Sequence, residues 1–218
     1  MGSNIKITNE LENYINNHSY KLNPIQREII KHNETLGDKK KMQISLSQCF
    51  FLHLIIKLCK PNKILEIGTF TGLSALTMGL AMNKDSNLTA IDKNKETSEI
   101  AKNFFNKANL ESKINLLVKN ASDGLDELIK NKENFDLVFI DADKQNYIDY
   151  FEKSLRMLKT SGIIITDNVL WYGDVVDESK NDKLTTKIRE FNSFIDKDNR
   201  VENMILPIGD GLSICIKL

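Results

Sequence analysis

From Lys63 to the C-terminus the chain alternates short β-rich runs with helical stretches, an order that leaves few architectures open. The β-rich runs fall at 63–67, 88–92, 114–118, 136–141 and 162–166, and helical stretches at 74–82, 95–108 and 147–158 separate most of them. Leu137-Val138-Phe139-Ile140 and Ile163-Ile164-Ile165 are apolar on both faces, as suits strands covered above and below in a parallel sheet. Two later runs, 201–206 and 212–217, flank Pro207-Ile208-Gly209-Asp210-Gly211 and predict an antiparallel hairpin at the sheet edge. Together the runs predict a doubly wound, mostly parallel seven-stranded α/β sheet over residues 61–218. With 218 residues and 41% hydrophobic content, the chain fills one such domain.

Residues 1–60 read as a helical segment that packs on this domain and partly lids its site. Asn23-Pro24 starts a helix well, and Gly37-Asp38 breaks the pattern before the solvated turn Lys39-Lys40-Lys41. Ser47 is the expected cap of a helix over 48–60, whose Phe51, Leu54, Ile55 and Leu58 keep the helical period; Pro61 closes it.

Lys+Arg 30 and Asp+Glu 30 cancel, so no overall field draws in a phosphate backbone or an anionic membrane. Neither nucleic acid nor membrane is an expected partner. No run approaches the roughly 18 apolar residues of a membrane span. Met1-Gly2-Ser3-Asn4-Ile5-Lys6 lacks the apolar stretch of a signal peptide, and Lys6 stands where a myristoylation signal has Ser or Thr. The expected compartment is the cytoplasm. Cys49, Cys59 and Cys215 are odd in number and lie in apolar segments, so they read as buried, reduced thiols. His18, His32 and His53 have no metal-binding spacing and read as structural or surface residues.

Residues able to do chemistry gather at the ends of the runs, where open α/β sheets bind ligands. The first run leads into Glu66-Ile67-Gly68-Thr69-Phe70-Thr71-Gly72, whose two glycines permit a tight turn and a close ligand approach. The spacing is not that of a dinucleotide site, and Glu66 would repel a pyrophosphate. An acid there suits a cationic ligand. Asp92 ends the second run, where a carboxylate accepts hydrogen bonds from both ribose hydroxyls. Singly, each acid reads as a solvated strand end; in this context the two predict a nucleoside ligand that carries positive charge. The fourth run ends in Asp141-Ala142-Asp143-Lys144 and the fifth in Asp167-Asn168. If those runs are sheet neighbours, Asp141, Asp167 and Asn168 converge. Three oxygen donors without His or Cys suit a hard dication, Mg²⁺ or else Ca²⁺ or Mn²⁺.

The stretches MQISLSQ, ILEIGTFTGLSAL, AIDKN, FIDADKQNY, TDNVLWYGDVV and LPIGDGLSIC resemble the cation-dependent O-methyltransferases, which include caffeoyl-CoA O-methyltransferases and bacterial catechol O-methyltransferase-like enzymes. The resemblance covers nearly all of 42–218, and DADKxNY followed by DNxLWxGxV is far more specific than a glycine loop. It implies a Rossmann-like class I methyltransferase fold that moves a methyl group from S-adenosylmethionine to one hydroxyl of a catechol-like acceptor, such as a caffeoyl or flavonoid compound. By matching position, Asp141, Asp167 and Asn168 are the implied metal ligands. Glu66, Gly68, Ser74, Asp92, Ala121, Asp141 and Asp143 are implied cofactor contacts. Met42 and Ile44 match the segment that closes over cofactor and substrate. Lys144 matches a catalytic lysine beside Asp141. Trp171 and Tyr172, with Met42, Lys144 and Asn168, match the acceptor pocket. A homodimer is implied as well. One departure is visible: Cys49 follows Gln48 where many members have glycine.

The chemistry is consistent. A phenol with a pKa of about 10 is little ionised at neutral pH, and a dication chelated by adjacent oxygens favours the ionised form. Like charge from that dication is expected to lower the pKa of Lys144 and make it a base. Two alternatives use the same residues. One keeps cofactor and metal but methylates a hydroxylated tRNA uridine, with Lys39-Lys40-Lys41 as local support; the other is a non-catalytic nucleoside-binding protein, which has no use for a Lewis acid.

Overall fold

Strands and helices alternate through residues 5–218, which the computed structural model describes. The signal-peptide expectation rested partly on Met1 to Asn4, which lie outside the described residues. The strands are β1 (Lys63–Ile67), β2 (Asn87–Asp92), β3 (Ile114–Val118), β4 (Phe135–Ile140), β5 (Leu158–Thr166), β6 (Val201–Leu206) and β7 (Leu212–Lys217). They form one sheet in the order β3-β2-β1-β4-β5-β7-β6. β1 to β5 pair in parallel, and β7 runs antiparallel between β5 and β6. The doubly wound sheet and its terminal hairpin are as the sequence predicts.

Helices α1 (Asn9–His18), α2 (Pro24–Glu34) and α3 (Leu46–Cys59) precede the sheet. Five more follow: α4 (Leu73–Ala81), α5 (Lys95–Lys107), α6 (Ala121–Lys130), α7 (Tyr147–Met157) and α8 (Lys183–Asp196). Alternation along β1 splits the core in two. Ile64 joins Ile29, Leu52, Ile56, Leu76 and Phe105 on one face, while Leu65 and Ile67 join Leu125, Tyr147, Phe151 and Phe191 on the other. The N-terminal helices therefore share a core with the sheet, through Ile29, Leu52 and Ile56.

Three local expectations need correction. Helix α3 begins at Leu46, not Gln48, because Ser45 is its cap: the Ser45 hydroxyl accepts from Gln48 N–H, and Gln48 Oε1 accepts from Ser45 N–H in return. That reciprocal pair satisfies two backbone donors, which Ser47 does not match. Cys59 is exposed at the end of α3, unlike the buried Cys49 and Cys215. Third, residues 37–59 do hold an 18-residue window with the apolarity of a membrane span, at a mean hydropathy of 1.4. The structure divides that stretch: Gly37–Met42 is a 3-10 turn carrying three lysines, and α3 has 14 residues. At about 1.5 Å per residue, that helix falls short of a hydrocarbon core of about 30 Å.

The β1–α4 turn is set by Gly68, at φ +91°, where an added Cβ would stand 2.0 Å from the Asp141 carbonyl oxygen. No side-chain rearrangement relieves a clash with backbone. Gly37 has φ +59° and open space around it. Gly37→Ala is therefore expected to cost about 1 kcal/mol of left-handed strain, and Gly68→Ala roughly 4 kcal/mol or more. Urea unfolding of both variants measures the difference; equal losses would show that backbone crowding at Gly68 is not what fixes the turn.

Candidate active site

The sheet order reverses between β1 and β4, so the carboxyl ends of β1, β2, β4 and β5 face one crevice. Backbone hydrogen bonds tie each tip to the next. Gly68 N–H donates to Ile91 O (2.9 Å), Asp141 N–H to Ile67 O (2.8 Å) and Asp167 N–H to Ile140 O (2.9 Å). A cavity of about 1030 Å³ opens there. Met42, Ile44, Gly68, Ser74, Asp92, Ala121, Asp141, Asp143, Lys144, Asp167, Asn168, Trp171 and Tyr172 all line it, which gathers every expected site residue except Glu66. A second cavity, of about 490 Å³, lies by the amino ends of β4 and β5 and contains none of them.

Glu66 is fully buried. Its Oε2 accepts from the Thr69 hydroxyl at 2.8 Å, and its Oε1 has no partner. Burial pushes its carboxyl up to about 8; the Ser74 and Thr69 hydroxyls oppose the rise, and the Asp141 and Asp92 charges add to it. Glu66 thus faces the cavity through Thr69 and Ser74, both of which line it. Asp92 shapes the same turn. Its Oδ2 accepts from Thr69 N–H (3.0 Å) and Phe70 N–H (2.7 Å), and its Oδ1 from Asn94 N–H (2.8 Å). A carboxylate has about four acceptor sites, so Asp92 keeps little spare capacity for a ribose. Its first task is holding the glycine loop.

β4 and β5 are neighbours, with Ile140 opposite Thr166, so Asp141 and Asp167 leave adjacent tips. Asp167 is 2% exposed, and its Oδ1 accepts from Gln48 Nε2 and the Asn168 N–H, each at 2.6 Å. Burial and then the charge of Asp141 push the Asp167 carboxyl up to about 7, against the opposing Lys144, Asn168 and Gln48. Lys144 Nζ donates to Asp141 Oδ1 at 2.9 Å and lies 5.1 Å from the centre of the Tyr147 ring. Burial disfavours the Lys144 ammonium, yet Tyr147 and Asp141 favour it more, and its pKa is raised. The lowering expected from the sequence is therefore not a property of the chain's own groups, which hold the proton on Nζ.

Asp141 Oδ2, Asp167 Oδ2 and Asn168 Oδ1 have no hydrogen-bond partner among the described residues. Among those residues no three His, Cys, Asp or Glu side chains form a metal cluster; a dication held by Asp141 and Asp167 would take the Asn168 amide oxygen as its third donor. The set fits a hard dication, and two facing carboxylates, one pushed up to about 7, fit any positive ligand.

The covering residues differ in character. Ile44 is buried, while Met42 is 60% exposed. Trp171, Tyr172 and Gly173 run through positive φ (47°, 56° and 85°), and Tyr172 is 77% exposed. Asp210 supports this turn by accepting from Tyr172 N–H at 2.6 Å, and Arg189 pins it by donating to the carbonyls of Val175, Asp174 and Lys180 at 2.7–2.9 Å. Asp143 Oδ1 accepts from the Tyr150 hydroxyl at 2.7 Å, and Ala121 opens α6 behind its cap Asn120. Gln48, Tyr147, Arg189 and Asp210 went unnoticed as site residues. For Gln48 a signal existed, the Ser-x-x-Gln spacing of a capping box from Ser45; Tyr147 lies in the stretch FIDADKQNY, while Arg189 and Asp210 act on a turn distant in sequence.

The family model described as O-methyltransferase matches residues 15–218. The chain belongs to the O-methyltransferase family. A probable caffeoyl-CoA O-methyltransferase 2 of Dictyostelium discoideum is 39% identical over 217 residues, covering 98% of this chain and 94% of that protein. The caffeoyl-CoA O-methyltransferase of Populus kitakamiensis is 38% identical, over 84% of this chain and 81% of its own. The crystal structure of the O-methyltransferase from Bacillus cereus, solved in complex with SAH, superposes with a TM-score of 0.88 at 27% identity, covering 96% of this chain and 97% of that one. The expected activity class, S-adenosylmethionine-dependent O-methyltransferase, and the expected fold both stand.

A raised carboxyl pKa means that the folded chain binds the proton more tightly than the unfolded one. The stability that Glu66 contributes is then present below about 4.5 and lost as pH rises through about 8. Asp167 contributes likewise, up to about 7. The ligand-free protein is expected to lose stability across this range, by up to about 1.4 kcal/mol per pH unit for each group. Glu66→Gln should lessen the fall most between pH 7 and 8, above the midpoint of Asp167. Chemical unfolding at stepped pH reads this, and an unchanged slope in the variant would contradict it.

Proposed function

We propose that this O-methyltransferase is divalent-metal-dependent and methylates one hydroxyl of a vicinal diol of the caffeoyl or catechol type. One observation carries the reading: a single cavity is lined both by the glycine-loop residues and by the oxygen donors with Lys144. S-adenosylmethionine, when bound, supplies the electrophilic methyl group. A dication, when bound by Asp141, Asp167 and Asn168, supplies Lewis acidity that favours the ionised diol.

The chain's own residues do the rest. Gly68 lets the backbone come close to the donor, while Ser74, Asp92, Ala121 and Asp143 border it, and the positive centres of the donor favour ionisation of the buried Glu66 carboxyl. Lys144 Nζ, held at Asp141, is the group placed to exchange a proton with an acceptor hydroxyl in the same cavity. Trp171 and Tyr172 form an aromatic wall. Residues 37–45, with Met42 and Ile44, act as the lid that excludes water, so that a charge-neutralising methyl transfer is not slowed by solvation of its reactants. Residues 1–60 form the N-terminal segment that carries this lid.

Lys39, Lys40, Lys41 and Lys93 also line the cavity. They suit an anionic acceptor such as a coenzyme A thioester, in line with the names of the relatives. The same lysines keep a hydroxylated tRNA uridine as a second reading, against which the zero net charge weighs. We assign the protein to the cytoplasm as a homodimer, with exposed Leu54, Leu58, Met204 and Ile216 as apolar surface for a second copy.

Assays with S-adenosylmethionine, Mg²⁺ and a panel of diols and hydroxylated nucleosides are expected to give methyl transfer to the diols, abolished by EDTA. Full activity in EDTA would sink the metal. Lys144→Ala is expected to lower kcat by about 100-fold while SAH still binds; unchanged kcat removes Lys144 from the chemistry.

A further inference from the structure

Gln48 makes three contacts that no helix cap requires together. Its Oε1 accepts from Ser45 N–H at 2.8 Å, which fixes the orientation of the amide, since a backbone N–H can only donate. The Nε2 end must then point away from Ser45, and it donates to Asp167 Oδ1 at 2.6 Å across 119 residues of sequence. Behind the amide stands Gly209, where an added Cβ would lie 2.6 Å from Gln48 Cδ, so the amide has no room to swing toward the β6–β7 turn. Gln48 is 3% exposed.

We infer that Gln48 is a positioning residue: it locks the Asp167 carboxylate so that Oδ2 is presented to the cation, and it ties that carboxylate to the end of the lid. The inference rests on the metal reading above. Outer partners of this kind typically hold ligand orientation, and their loss weakens metal affinity by about 10–100-fold. Gln48 occupies Oδ1 without adding charge. Because Gln48 also closes the capping box of α3, the helix that follows the lid, the lid's anchoring and the carboxylate's orientation share one side chain.

Direct Mn²⁺ titration by isothermal calorimetry or electron spin resonance tests this without turnover. Gln48→Met is expected to weaken Mn²⁺ binding by about 10-fold or more while SAH affinity moves far less. Equal Mn²⁺ affinity in Gln48→Met and the parent protein overturns the role, as does a matching loss of SAH affinity, which would mean general loosening. A parent protein that binds no Mn²⁺ overturns the metal reading itself, and the inference with it. A second variant guards against misfolding. Gln48→Glu keeps the acceptor that caps α3 but sets a carboxylate against Asp167 Oδ1 in place of a donor. Its gain in Tm on saturation with Mn²⁺ is expected to exceed the parent's, because the cation relieves that repulsion; an equal gain would show that residue 48 does not act on Asp167.

Discussion

Negative charge packed under the tips of parallel strands is the constraint on which the rest of this structure depends. Glu66, Asp92, Asp141 and Asp167 lie close enough that Asp141 and Asp92 raise the pKa of Glu66, and Asp141 that of Asp167. Ionised together, such groups cost the folded chain stability. The arrangement is tolerated because each acid is separately supported: Asp92 by three backbone amides, Asp167 by an amide side chain and an N–H, Asp141 by Lys144. Strained or frustrated groups that the surrounding structure over-determines are what functional sites look like. Here the frustration has one sign, and it names the sign of the ligand.

Parallel pairing is what makes the concentration possible. In a parallel sheet every strand delivers its following loop to the same edge, so residues 66, 92, 141 and 167 meet although they span a hundred positions. The hairpin adds what a purely parallel sheet would not. β7 runs back beside β5, which brings Asp210 and Gly211 to the end where Asn168 emerges. Val169 N–H and Leu170 N–H donate to the carbonyls of Gly211 and Asp210, and Leu170 fills the space in which a Cβ on residue 211 would stand. The left-handed backbone of Asn168, Trp171 and Tyr172 is held from this side.

Most of the frame was legible because it is written locally. Alternation, apolar runs and turn residues gave β1, β3, β6 and β7 to the residue, and strand-end acids gave most of the site. What was missed depends on which partners the fold brings into contact, whether near or far along the chain. β5 begins at Leu158 rather than Gly162 because Phe135 pairs with Leu158 across an irregular register, which composition does not record. Helix α3 begins two residues early because Ser45 and Gln48 cap each other, while Ser47 looks equally able on paper. Glu66 was placed correctly at a strand end but not as a buried group, whereas it is fully buried and partnered by the Thr69 hydroxyl. Lys144 shows the same limit: its position could be read, but the direction of its pKa follows from Asp141 and Tyr147.

The two sides of the cavity differ in how they are built, and the difference bears on selectivity. On the glycine-loop side, the turn is crowded against backbone at Gly68, its amides are bound by Asp92, and β1 beneath it is in the core. Little there changes without loss of the fold. The side carrying Trp171 and Tyr172 is a surface turn held at a few points, by Asp210 and by Arg189, with Tyr172 exposed and open space where a Cβ on residue 173 would stand. Exchanging Tyr172 would alter the wall without disturbing the sheet. On the proposed reading, discrimination among acceptors belongs to this turn and to the lysine-bearing lid that lines the same cavity, while the charged floor serves the reaction that all acceptors share.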